Sequence, residues 1–160
     1  MLEIQEIYEK SFSENERRNF DDLLYLIKNN KQINIENFDE NAFIIYWTFD
    51  DFVFIEYFAV DEKFRGGGLG TNILKIFLQK NRLPIILEVA LPNTEIDKKR
   101  IAFYERFGFV LHSQKYIQPP YSIEKQEIEM CLMSFGKIDF EKNFEKIKNT
   151  LYREVYNVKD

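Results

Sequence analysis

Apolar residues recur at three- and four-residue steps over the first thirty positions, and then at every second position. Leu2, Ile4, Ile7 and Tyr8 share one face at helical spacing. Ser13, with Glu16 three residues on, has the form of a capping box. Phe20, Leu23, Leu24 and Ile27 then form the stripe of a second helix that should end near Asn29 and Asn30. From Ile33 the period is two. Strands are expected over Ile33–Phe38, Ala42–Phe49 and Phe52–Val60. The turns between them are too short for anything but antiparallel neighbours.

A helix carrying Leu69, Ile73, Ile76 and Phe77 on one side follows. Pro84–Ala90 is almost continuously apolar, as a buried strand is. The pattern then predicts a helix over Asp97–Phe107 stopped by Gly108, and strands at Phe109–Ile117 and Glu127–Phe135. The last helix is marked by Phe140, Phe144, Ile147, Leu151 and Val155. Strand, glycine loop, helix and strand from Phe52 to Ala90 make a β-α-β unit, so its two strands should be parallel. The expected fold is therefore α/β, with a central mixed, mostly antiparallel sheet, one parallel pair, flanking helices and an added C-terminal helix. A single domain over 1–160 is expected, with a helical part at 1–31, a core at 32–135 and the C-terminal helix at 139–157.

Composition narrows the chemistry. A chain of 160 residues with 45% hydrophobic positions can bury its own core, and 16 Phe and 9 Tyr make that core one of packed rings. A net charge of −5 argues against gripping a nucleic-acid backbone. One cysteine, Cys131, cannot form an internal disulfide. With that single cysteine, the single histidine, His112, rules out two-His and Cys/Cys/His metal sites, so no metal is expected. The N-terminus is acidic and helical, unlike a targeting signal, and no stretch approaches the roughly 18 apolar residues of a membrane span. A cytoplasmic location without membrane partners is expected.

Four of the six glycines fall within Asp61–Gly70. The first N–H groups of a helix lack internal partners, and its dipole places partial positive charge there. Glycines leave those groups uncovered. Arg65 to Thr71 is thus a candidate anion cradle, against the simpler reading of a flexible turn with a glycine-capped helix. No Lys-Ser or Lys-Thr pair follows, so it is not a nucleotide triphosphate loop. A G-x-G-x-x-G pattern fails at Thr71.

Arg65-Gly66-Gly67-Gly68-Leu69-Gly70 reads R-x-x-G-x-G. After Phe58-Ala59-Val60-Asp61, it closely resembles the coenzyme A-binding motif of the GCN5-related N-acetyltransferases (GNAT). Phe103-Tyr104 followed by Gly108-Phe109 resembles that family's F-Y-x-x-x-G-F segment, at the family's spacing. The resemblance covers about residues 42 to 135. The loop Tyr116-Ile117-Gln118-Pro119-Pro120-Tyr121 and the run Phe12 to Arg18 are similar to a bacterial branch of unassigned substrate. The resemblance implies acetyl-CoA as cosubstrate. It implies that Arg65, Gly66, Gly67, Gly68, Leu69, Gly70 and Thr71 hold the pyrophosphate, that Phe58, Ala59 and Val60 hold the pantetheine arm, and that Tyr104 lies near the thioester sulfur. Two features depart from the family. Its usual first strand is missing here, and the position seven before the tyrosine, often Asn, is Asp97.

Acetyl transfer to an amine needs a base, because a free alkyl ammonium has a pKa of roughly 10, and it needs a proton for the leaving thiolate. Glu56 is the only charged residue between Phe52 and Val60. Alternation puts it with Phe54 and Phe58, where rings would desolvate it. The family often has a base at this position. The competing reading is a solvated carboxylate or one paired with a lysine across the sheet. Glu88 within Pro84–Ala90 is the second candidate base, or else a structural hydrogen-bond partner. Tyr104 is the candidate acid, or else a core ring. Glu16, Arg17, Tyr116, Gln118 and Tyr121 could line the acceptor mouth, or serve respectively as a capping box and a ring-pinned loop. His112 and Cys131 are read as structural.

The expected activity is direct acetyl transfer from acetyl-CoA to a primary amine in a ternary complex, by a monomer or homodimer, and the net negative charge favours a cationic amine. The rivals are a protein N-terminal or lysine acetyltransferase, and a catalytically silent acyl-CoA-binding module.

Overall fold

The computed structural model describes residues 2–159, and only the backbone of Leu2 and Glu3, so the expected packing of the Leu2 side chain lies outside the described residues. The chain forms two compact units, Met1–Ile85 and Ile86–Asp160.

In the first unit, α1 (Leu2–Ser11) buries Ile4, Ile7 and Tyr8. The second helix does not start at Ser13. The Ser13 hydroxyl donates to Glu16 Oε1 at 2.7 Å, and the segment closes only a single 3-10 turn over Glu14–Glu16. The chain then extends through Arg17, and α2 (Phe20–Asn29) begins at Asn19, whose side chain accepts from the Asp21 N–H. Phe20 and Leu23 are its buried residues.

Strands β1 (Ile33–Phe38), β2 (Ala42–Thr48) and β3 (Val53–Val60) form the antiparallel meander the periodicity requires. Asp39 and Glu40 both have positive φ (52° and 60°), so β1 and β2 are joined by a type I′ turn. One irregularity interrupts the meander. Ile45 pairs Tyr57 and Tyr46 pairs Ile55, which leaves Glu56 as the extra residue of a β-bulge.

After β3 come the glycine loop and α3 (Leu69–Lys80). Ile73, Leu74 and Phe77 are buried, while Ile76, expected on the inner face, is 48% exposed. The Val53 N–H donates to the Pro84 carbonyl at 2.9 Å. The strand after α3, β4 (Ile85–Ala90), therefore enters beside the start of β3, as a parallel β-α-β unit requires.

In the second unit, α4 (Glu95–Glu105) starts two residues earlier than the pattern predicts. Thr94 is its N-cap, and Asp97 completes a reciprocal capping box from the third helical position. Gly108 follows with φ 101°, a conformation that favours glycine. The expected strand Phe109–Ile117 is two short ones, β5 (Val110–Leu111) and β6 (Tyr116–Gln118). Both lie antiparallel to β7 (Ile128–Phe135). His112 N–H still reaches the Leu132 carbonyl, but the backbone between the two segments bends out of the ladder.

Helix α5 (Phe140–Thr150) is capped by the Asp139 carboxylate. It continues into one π-helical turn, Leu151–Val155, closed by Tyr156 N–H to the Leu151 carbonyl at 3.1 Å. Phe140, Ile147, Leu151 and Val155 are buried, as their spacing predicts.

Candidate active site

The glycine loop needs glycine for its backbone. Gly66 and Gly68 have φ of 85° and 84°, a region that L-residues rarely adopt. A Cβ built at either would meet nothing within 4 Å, so the space over the loop is open. Gly68 is the N-cap of α3, and the first ladder bond is Asn72 N–H to the Gly68 carbonyl at 3.0 Å. The N–H groups of Leu69, Gly70 and Thr71 precede that bond and therefore have no partner within the helix. Arg65 ties the loop to the end of β3, its Nε donating to the Val60 carbonyl at 2.9 Å. This cradle fits a phosphate group.

Glu56 is not set among rings alone. The bulge breaks the alternation that would have aligned it with Phe54 and Phe58. Its side chain is fully buried and pairs with Arg18, Nη1 to Oε2 at 3.0 Å. Trp47 Nε1 donates to its other oxygen at 2.8 Å. Arg18 is itself anchored. Its N–H donates to the Tyr8 hydroxyl at 2.8 Å, and that hydroxyl donates to the Arg18 carbonyl at 3.0 Å. Burial pushes the Tyr8 phenol far up, so it remains a neutral donor and acceptor. Arg18 is the residue sequence reasoning missed. It lies within the run Phe12–Arg18 but 38 residues from Glu56. Glu16 and Arg17 turn to local partners, Ser13 and the Phe12 carbonyl.

In the second unit, Tyr104 is 9% exposed and packs edge-on against Phe103 and Phe109. Burial raises its phenol to about 12, so it is protonated at neutral pH. Glu88 receives hydrogen bonds from the hydroxyls of Tyr116 and Tyr156, the latter at 2.6 Å. Gln118 is buried beside Tyr116 on β6, and the Tyr121 ring lies 5.1 Å from that of Tyr156. His112 stacks on Phe140 at 3.6 Å, its Nε2 2.7 Å from the Ser134 hydroxyl. Among the described residues, no cluster of three or more His, Cys, Asp or Glu could hold a metal ion. Among the same residues, no helix is long and apolar enough to cross a membrane.

A bulged strand bearing a buried carboxylate, followed by a glycine loop with the geometry of an anion cradle at a helix start, defines the class: an α/β protein with an open loop at the first β-α step. The sequence profile of the Acetyltransferase (GNAT) domain matches residues 21–111, and the chain belongs to that family. A Bacillus subtilis (strain 168) protein named "Putative acetyltransferase YjbC" is 30% identical over 141 residues, 84% of this chain and 71% of its own length. The solved structure of a "Putative acetyltransferase from GNAT family" from Bacteroides thetaiotaomicron is 36% identical. It superposes with a TM-score of 0.91 over 97% of this chain and 90% of its own. Arabidopsis thaliana Naa50, solved with the bisubstrate analogue CoA-Ac-MVNAL, shares the fold. It is 20% identical, with a TM-score of 0.57 over 84% of this chain and 91% of its own.

Proposed function

We propose that this chain is a cytoplasmic N-acetyltransferase that moves an acetyl group from acetyl-CoA to a primary amine by direct attack in a ternary complex, its two units acting as one domain, as a monomer or homodimer. The observation that carries this reading is the cradle Arg65–Thr71 in a chain of the GNAT family. Its positive-φ glycines and uncovered helix N–H groups suit the pyrophosphate. The backbone of Phe58, Ala59 and Val60 would hold the pantetheine arm. Bound acetyl-CoA supplies an activated acyl carbon and a thiolate leaving group.

The remaining work falls to side chains. Glu56 takes the proton of the incoming ammonium through a water, because its fully buried side chain is already engaged by Arg18 and Trp47. The neutral amine nitrogen then bonds to the acyl carbon and loses its second proton to solvent, and Glu56 passes the proton it took back to solvent through the same water. Tyr104 gives its phenolic proton to the sulfur as the C–S bond breaks, and is reprotonated from solvent. Burial pushes the Cys131 thiol up, which disfavours a covalent acyl-cysteine route. Glu16, Arg17, Tyr116, Gln118 and Tyr121 are proposed to border the acceptor.

Thiol release from acetyl-CoA over a panel of amines and peptides tests the activity. Calorimetry with coenzyme A tests the cradle. Gly68→Asp adds a strained side chain and a negative charge, and should weaken binding more than about tenfold. A folded Gly68→Asp protein with unchanged affinity would remove the cofactor assignment. Intact binding without thiol release from any acceptor would leave a silent binding module.

A further inference from the structure

Glu56 and Tyr57 are neighbours on β3, and in a regular strand their side chains would point to opposite faces. Here both meet the same residue. Arg18 Nη1 donates to Glu56 Oε2 at 3.0 Å, and the Arg18 N–H reaches the Tyr57 hydroxyl at 3.3 Å. The bulge permits this, because its extra residue re-aims a side chain that alternation would send elsewhere. As a residue Glu56 is partly exposed, while its side chain is 0% exposed. The bulge therefore shows backbone to solvent and draws the carboxylate inward.

Arg18 lies in the irregular segment between the 3-10 turn and α2, yet it is buried. Its backbone is held by α1: the Tyr8 hydroxyl accepts its N–H at 2.8 Å and donates to its carbonyl at 3.0 Å. The Tyr8 ring in turn packs edge-on against Tyr57, 5.0 Å between centroids. The guanidinium carbon lies 6.0 Å from the centre of the Trp47 ring. Trp47, fully buried and stacked on Phe49, donates to the second Glu56 oxygen at 2.8 Å. Groups from α1, the Arg18 segment, β2 and β3 thus converge on one carboxylate within the first unit. A buried ion pair is a weak fastener, since apolar side chains of similar volume are often as stabilising or more so. What a clamped guanidinium adds, and an apolar side chain cannot, is a fixed direction for the carboxylate it meets.

We propose that Arg18 is a positioning residue for proton removal: with Trp47, it holds the Glu56 carboxylate in the orientation from which that group takes the ammonium proton through water. This rests on the reading of Glu56 as the base. Arg18 acts on the reaction through Glu56 alone. A misplacement of about 1 Å can cost about 10²-fold in rate, so orientation is enough to give Arg18 a measurable part in turnover.

The test is a kinetic cycle of wild type, Arg18→Met, Glu56→Gln and the double variant. Each is assayed with one accepted amine at saturating acetyl-CoA, at a temperature where circular dichroism shows all four folded. Arg18→Met should lower kcat by about 10- to 10²-fold and leave the calorimetric affinity for coenzyme A unchanged. Its deficit should shrink as pH rises, as for Glu56→Gln, because an amine that is already neutral needs no base; a merely distorted fold would not follow the ionisation of the amine. The double variant should be no slower than Glu56→Gln alone, since Arg18 then has no base to position. Arg18→Lys keeps the charge without the planar fork and should fall between Arg18→Met and wild type. Arg18→Met with unchanged or higher kcat, or losses that multiply in the double variant, overturns the proposal and leaves Glu56 as the base. Glu56→Gln with wild-type kcat removes the base itself, and a wild type that acetylates no amine removes the transferase reading; the proposal falls with either. If Arg18→Met does not fold, Arg18→Lys and Trp47→Phe decide by the same cycle: a loss that disappears in the Glu56→Gln background upholds the proposal, and no loss, or one that persists there, overturns it.

Discussion

Arg18→Met isolates what the buried ion pair contributes. The substitution keeps much of the side-chain volume and removes the guanidinium from a carboxylate whose side chain is 0% exposed, Arg18's own being 9%. Removing one partner of a buried pair typically costs about 3–5 kcal/mol, because the remaining charge stays desolvated after its ion-pair partner is gone. Two features place this pair near the lower end. The Trp47 indole still donates to Glu56, and the Arg18 backbone stays clamped to the Tyr8 hydroxyl. The expected loss is thus about 3 kcal/mol. For a chain of this length, that is a fall of roughly 6–12 °C in Tm.

Urea unfolding followed by the fluorescence of Trp47 is a suitable assay, since it is the single tryptophan and touches the pair directly. Arg18→Met combined with Glu56→Gln removes both charges while the Gln amide oxygen can still accept from Trp47. The double variant should recover most of the loss, since neutral replacement of a buried pair is often nearly free. Arg18→Met within about 1 kcal/mol of wild type, or a double variant no more stable than the worse single one, would refute the reasoning.

The other predictions concern activity and pH. Glu56→Gln, assayed under conditions where it is folded, should slow turnover by roughly 10²–10⁴-fold near neutral pH. The deficit should shrink as pH rises and more amine is already neutral; parallel pH–rate profiles would remove Glu56 as the base. Tyr104→Phe should lower kcat by about 10²-fold or more while acetyl-CoA affinity changes little, and unimpaired turnover across several acceptors would leave Tyr104 as a core ring. His112 is depressed below its ordinary 6.5 by burial. Its neutral form therefore contributes stability that is present above pH 6.5 and lost as pH falls through the lower folded value. His112→Gln should flatten the fall in Tm between neutral and mildly acidic pH, and an unchanged slope would assign that fall to other groups.

Much of the fold was legible because its signals are local. The meander follows from alternation and from turns too short for other connections, and the C-terminal helix from five apolar residues at helical spacing. The errors arose where two local rules competed. Ser13 and Asn19 could each start a helix. Ser13 bonds the Glu16 side chain and leaves the helix to Asn19. In α3, Leu74 and Ile76 both fit an apolar stripe, and only packing against the meander selects Leu74. The break between β5 and β6 left no mark in the pattern, because the residues on either side of the bend keep their alternation.

The site divides along the same line. The glycine cradle was legible because a positive φ has few residue types to choose from. Glu56 and Glu88 were legible as lone charges in apolar strands. Their partners were not. A charge in such a strand establishes that some group must meet it, but the identity of that group depends on tertiary placement. Arg18 reaches Glu56 from an irregular segment 38 residues away, and Tyr156 reaches Glu88 across 68. Both partners lie outside the residues that match the family. In this chain the strands carry the two carboxylates, and segments outside the matched residues set what each one meets. Changes at Arg18 or Tyr156 should therefore act through the carboxylate each one meets, while changes in the glycine cradle should act on the proposed binding of coenzyme A.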